Sequence, residues 1–238
     1  SSPHPTLAIS AVLAGSAGLT KTGPGTLVLS GANTYTGGTQ VQNGTLQLGA
    51  TNTLPVGTTV TLGMNDQNGP RGTLKLNGYN QELAGLVTGY QPSSGGTTDR
   101  VVNGSSTHST LTLNITSSQT FHGILGGQGT DENNFSLVKK GSGTLTLRNS
   151  NTYNGATYIE QGTIQLGATN ALPKTTTVTL GSQGYTGVLR LSNKNQELAG
   201  LTTSGQGGSV VGGHSTAPTL TLNIAANTTN TFSGVLGG

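Results

Sequence analysis

Cysteine and tryptophan are both absent from the 238 residues. Without thiols there are no disulfides and no thiolate metal sites, a composition that suits a secreted bacterial protein crossing membranes unfolded. Charge is scarce too: 7% of residues are charged, against about 25% in an ordinary soluble domain. The ten Lys and Arg form no basic run, and the six Tyr and three Phe do not interleave with them, so no base-stacking nucleic-acid groove is expected. No stretch reaches the roughly 18–20 apolar residues of a membrane helix, and none of this segment is expected to insert into a membrane. The opening SSPHPTLAIS has neither the basic start nor the apolar core of a signal peptide, so an exported form is expected to be mature or a fragment.

What the chain does have is 40 glycines, many Ser, Thr and Asn, and a phrase written twice. GTLVLSGANTYTG at Gly25 returns as GTLTLRNSNTYNG at Gly143, 118 residues later. GTLQLGATNTLPVGTTVTLG (Gly44–Gly63) returns at Gly162–Gly181 with the same offset, NQELAGL at Asn80 returns at Asn195, and TLTLNI at Thr110 returns at Thr219. FHGILGG (Phe121–Gly127) matches FSGVLGG (Phe232–Gly238), and both resemble ISAVLAG (Ile9–Gly15). The chain is therefore read as the end of one unit (1–17), a first full unit (18–127), a polar join (128–136) and a second unit (137–238). Self-similarity at so long a period is the mark of a solenoid.

Within a unit, apolar residues sit two apart: Leu27 and Leu29, Leu46 and Leu48, Val60 and Leu62, Leu74 and Leu76. That is strand periodicity, separated by Gly- and Asn-rich turns, and no stretch sustains a helical period. Seven or eight strands of four to six residues are expected per unit. Nine aromatics are too few for a wide sandwich core, whereas Leu, Val and Ile can fill a narrow parallel β-helix. A unit is expected to make about five coils and, at about 4.8 Å per strand, to rise about 24 Å.

Leu19–Gly49 and Leu137–Gly167 share the order L-x-K-x-G-x-G-T-L-x-L, N-T-Y-x-G, G-T-[LI]-Q-L-G. This resembles the passenger-associated transport repeat of bacterial autotransporters. The resemblance implies a right-handed parallel β-helix (a β-solenoid of tandem ~110–118-residue units) at the bacterial cell surface, in a large adhesin or fibre. It supplies no catalytic residues and no cofactor. The partners expected are neighbouring units of the same protein, joined covalently or end to end, and a host surface or glycan.

The carboxylates are thinly spread, which disfavours a carbohydrate-active enzyme. Glu82 and Glu197 recur in NQELAGL and are expected to accept backbone N–H bonds at a turn, while Asp131 and Glu132 are expected in a solvated loop. His4, His108, His122 and His214 lack metal-ligand spacing. Lys21 and Lys139 are equivalent, as are Tyr35 and Tyr153, and all four are read as structural positions of the repeat. Lys75 and Arg190 are expected to point outward beside inward leucines, keeping strands from pairing laterally. The 23-residue segment Val87–Ser109, unlike its 17-residue counterpart Thr202–Pro218, is read as a projecting loop in which Tyr90, Asp99, Arg100 and His108 offer contact chemistry.

Overall fold

The computed structural model describes residues 4–93, 96–213 and 217–237. Twenty-four strands of two to six residues, every named pair parallel, wind into a β-solenoid of about nine turns, and no helix occurs among the described residues. The alternating runs behave as their period dictates. Thr26–Leu29, Thr59–Leu62 and Thr144–Leu147 each turn alternate residues into the interior.

Each coil passes three faces. The first face carries Leu19–Lys21, Thr39–Val41, Thr59–Leu62 and Gly85–Thr88, then Gln119–Phe121, Thr144–Leu147, Gly162–Leu166, Gly187–Arg190, Gly208–Val211 and Val235–Leu236. Its one interruption is bridged by a side chain, because the Leu86 N–H donates to Gln119 Oε1 at 3.1 Å. The second face runs from Thr6–Ile9 through Thr26–Leu29, Gly44–Leu48, Gly72–Lys75 and Arg100–Val102 to Ile124–Leu125. The third includes Gln81–Leu83, Ser109–Asn114, Phe135–Lys140, Thr157–Ile159, Thr177–Leu180 and Gly200–Thr203.

Equivalent strands of the two units lie on different faces. Leu19–Lys21 is on the first face, yet its counterpart Leu137–Lys139 lies within the third-face strand Phe135–Lys140. Thr26–Leu29 is on the second face, and its counterpart Thr144–Leu147 is on the first. Following the chain from Leu19 to Leu137 traverses four coils and two faces of a fifth. The 118-residue step therefore makes four and two-thirds coils, close to the expected five. At about 4.8 Å per coil, its rise is about 22 Å.

The expectation of seven or eight strands per unit is also corrected: twelve fall within residues 18–127, several of them only two or three residues long. Corners without strands are closed by side-chain amides. Gln81 Oε1 accepts from the Leu54 N–H at 3.0 Å while its Nε2 donates to Leu54 O at 2.9 Å, and Gln196 holds Leu172 in the same way at 3.1 and 2.9 Å. One amide thus supplies the donor and the acceptor that a ladder neighbour would have given.

The interior is a stack of aliphatic rows. Leu27, Leu46, Leu74, Val101 and Leu125 follow one another rung by rung on the second face, all buried. Each is covered by the residues above and below, which stabilises it by about 1.5–3 kcal/mol relative to exposure. Three aromatics, Phe121, Phe135 and Tyr153, are buried where the units meet, with the Phe135 and Tyr153 rings 5.5 Å apart. The longest ladder spans that junction: Ser109–Asn114 pairs with Phe135–Lys140 over six residues.

Candidate functional site

The repeated motif builds a polar apparatus inside the rod. Lys139 alternates with Leu137 and so points inward, where its ammonium meets only backbone carbonyls: Lys140 O at 2.6 Å, Gly141 O at 2.7 Å, Gln161 O at 3.3 Å and Ile115 O at 3.4 Å. Lys21 repeats the arrangement with Thr22 O and Gly23 O at 2.7 Å and Asn43 O at 3.0 Å. The glycine two residues after each lysine, Gly23 or Gly141, has positive φ, a conformation costly for other L-residues, and this turn aims the carbonyls at the ammonium. Lys139 is fully buried, and burial pushes its ammonium down to about 8. Burial lowers Lys21 as well.

Tyr35 and Tyr153 are buried on the same plan. Tyr153 Oη lies 2.6 Å from Thr157 Oγ1, which lies 3.0 Å from Thr176 Oγ1, whose hydroxyl donates to Gly155 O at 2.9 Å. In the first unit, Tyr35, Thr39, Thr58 and Gly37 O form the same chain. Burial raises the phenol of each tyrosine. Tyr153→Phe removes one hydroxyl and leaves the threonine pair in contact, so a loss of about 1 kcal/mol is expected. A urea melt checks it; a change above about 3 kcal/mol would mean that the ring itself had been displaced.

Glu82 and Glu197 occupy equivalent places, but their carboxylates are not used as expected. Each accepts from a side-chain amide, Asn114 or Asn223, at 3.2 Å, while the backbone N–H of each glutamate is held by Asn52 or Asn170. Glu197 also meets Lys174 at 3.0 Å, and this contact, followed by Asn223, holds its carboxyl below the usual range. The residues that carry the buried load are the neighbouring glutamines, which the charge of NQELAGL obscured.

The projecting-loop reading of Val87–Ser109 does not hold. Arg100–Val102 is a strand of the second face in the middle of that segment, with Val101 and Val102 buried. Asp99 is fully buried, its Oδ1 accepting from the Gly72 N–H at 2.9 Å and its Oδ2 lying 3.8 Å from Arg71 Nη1, so it is no contact residue. Half-buried Tyr90 follows a first-face strand, its carbonyl accepting from Thr88 at 2.8 Å. His108 sits at the corner before Ser109–Asn114, bonded to Asn134 and Ser136 of the next coil at 3.0 and 2.9 Å. Only Arg100 lies on the outer surface of a sheet, so the four residues do not form one site. Asn103 is buried, and its side chain makes five hydrogen bonds that fix this corner.

Lys75 and Arg190 point outward as alternation requires, each followed by a buried leucine. The exposed join loop is tied to the rod by its backbone, since Glu132 O and Asp131 O accept from the Asn103 and Gly104 N–H groups at 2.9 and 3.0 Å, while Glu132 Oε2 accepts from the Gly129 N–H within the loop at 2.8 Å. No group of three or more His, Asp or Glu residues gathers among the described residues. His214 lies outside them.

The passenger-associated-transport-repeat family model matches residues 19–48 and 137–166. The chain is similar to the adhesin BmaC autotransporter of Brucella suis biovar 1 (strain 1330), with 32% identity over 321 residues that cover 98% of this chain and 9% of that protein. The chain thus spans about 9% of the length of the curated relative it matches. No significant match to a solved structure was found.

Proposed function

Because the chain is a β-solenoid of the passenger-associated-transport-repeat, autotransporter-passenger type, we propose that it serves as a stiff, non-catalytic segment of a surface stalk outside the bacterial cell. The observation that carries this reading is the junction between units. A hinge would need few contacts, yet here the longest ladder and the pairing of Gln119–Phe121 with Leu145–Leu147 bind one unit to the next. Stiffness follows from parallel ladders on three faces that cannot bend without breaking hydrogen bonds on one of them.

A neighbouring unit is the natural cover for the end coils, where Leu7, Val235 and Leu236 are more than half exposed. Tandem units stacked this way return to the same face after three, because each turns the chain by two-thirds of a coil. Rods assembled from repeated units are expected to lengthen by about 22 Å per 118 residues and to show an axial repeat of about 67 Å. Electron micrographs of such rods test this. Variable kinks at the position of residues 128–134 would refute the stiff-stalk reading.

A further inference from the structure

Both units carry a shallow groove on the outer face of a sheet, built from the same positions. In the first unit the groove, of about 470 Å³, is lined by Gln47, Lys75, Arg100, Val102 and Gly104 with threonines beside them. In the second, of about 550 Å³, it is lined by Gln165, Arg190, Val211 and Gly213. The ladders explain the recurrence: Gln47 pairs with Lys75 and Lys75 with Val102, as Gln165 pairs with Arg190 and Arg190 with Val211. An amide and a cation therefore stand on adjacent rungs, about 4.8 Å apart, with a glycine at the far edge. Gly104 matters because a Cβ there would come within 2.5 Å of the Lys75 side-chain stem.

The cations lack anionic partners. Among the described residues Lys75, Arg100 and Arg190 are in none of the ion pairs, and the Arg100 guanidinium makes one hydrogen bond, a long one to Thr98 O at 3.4 Å. The Glu132 carboxylate at the rim of the first groove is engaged by the Gly129 N–H and leaves that groove with a net positive charge. No aromatic ring lines either groove. Neutral sugars are usually gripped by stacking on rings as well as by hydrogen bonds, whereas a cation flanked by amide and hydroxyl groups suits a sugar that bears an anion.

We propose that each unit offers one such groove as a subsite for an acidic polysaccharide, its carboxylate or sulfate meeting Lys75 or Arg190 and its hydroxyls meeting Gln47 or Gln165. This goes beyond the stalk reading and does not depend on it. The grooves lie on the second and first faces respectively, so successive units present them around the rod. Single sites this open bind weakly, and retention rests on several engaging one polymer.

The test is retention of the 238-residue chain at low salt on immobilised alginate, dextran sulfate and neutral dextran. Binding to one or both anionic polymers and not to neutral dextran is expected, the preference telling carboxylate from sulfate. K75Q/R190Q is expected to weaken binding about tenfold or more. K140Q/K174Q removes the same charge from two exposed ion pairs and is expected to change it less than twofold. Equal losses in the two variants, undiminished binding by K75Q/R190Q, equal retention on neutral dextran, or no retention at all would each overturn the proposal. Circular dichroism of the variants confirms that the rod is intact, and neither outcome alters the micrographs that test the stalk.

Discussion

Lys139→Glu is expected to prevent the native coil stack from forming around residues 115–162, and Lys139→Met to cost about 2–4 kcal/mol. The ammonium is enclosed by four carbonyl oxygens and no carboxylate. Methionine fills the volume but abandons the oxygens of Gly141 and Gln161, which accept no other hydrogen bond among the described residues, and a buried unsatisfied acceptor costs about 1–3 kcal/mol. Glutamate does worse, because it places a carboxylate against the same oxygens, and even its protonated form supplies one donor where the ammonium supplies three. Because repeats are stabilised mainly by their neighbours, the damage should be local, and amide exchange would show it in the coils flanking Lys139 first. Full protection in the Lys139→Glu chain would refute the cage.

The same lysine sets a pH dependence. Burial brings it to about 8 in the folded chain, below the 10.5 of an ordinary lysine, so between these two the unfolded chain binds the extra proton and stability rises with pH. Below pH 8 the cost of burying the charge is fully present; by pH 10.5 it is relieved, by at most about 3 kcal/mol at 1.36 kcal/mol per pKa unit. The tyrosines act in the opposite sense. Their phenols are raised by burial, so ionisation of the unfolded chain erodes stability above about pH 10. Melts at pH 7 and pH 9.5 therefore isolate the lysine: the stability gap between the unmodified chain and Lys139→Met should widen.

The parallel β-solenoid and the inward leucines were legible because strand alternation survives in every strong run, from TLVL to TVTL. The fraction of a coil was not. The corners at Asn33–Tyr35 and Thr53–Leu54 carry no alternating pattern, since their backbones are held by side-chain amides, and a face without a strand leaves no period to count. The rotation of the repeat by one face was hidden for the same reason. Asp99 was misread because a carboxylate in a Gly- and Ser-rich stretch looks solvated, whereas only three residues of strand follow it. Lys139 was read as a structural position of the repeat, and it sits at an inward position of the alternation, but the carbonyl cage that makes an inward lysine tolerable leaves no pattern of residue types beyond a single glycine. The signal that could have placed it is the glycine two residues on, which turns carbonyls toward it.

Gly187→Ala is expected to cost about 3 kcal/mol, and Gly187→Val more, although the residue lies in a strand and has no unusual φ. Gly162, Gly187 and Gly208 stand in register on successive coils. A Cβ on Gly187 would overlap the Ile159 carbonyl oxygen and come within 2.9 Å of the Gly181 nitrogen, and both are backbone atoms that no rotamer can move. Relief would require the coils to part, but ladders such as Ile164 to Leu189 and Leu189 to Val210 hold them at strand spacing on either side. Gly72, the equivalent residue, would meet the Val41 carbonyl oxygen in the same way. Gly57→Ala is the matched control: nothing lies within 4 Å of its Cβ position, so the same added methyl should be neutral or stabilising by up to about 1 kcal/mol. Urea melts of the two variants decide the matter, and equal stabilities would mean that the coils yield more easily than the ladders imply. Because Gly187 opens the strand that presents Arg190 three residues later, Gly187→Ala should also weaken the second groove while leaving Lys75 in place.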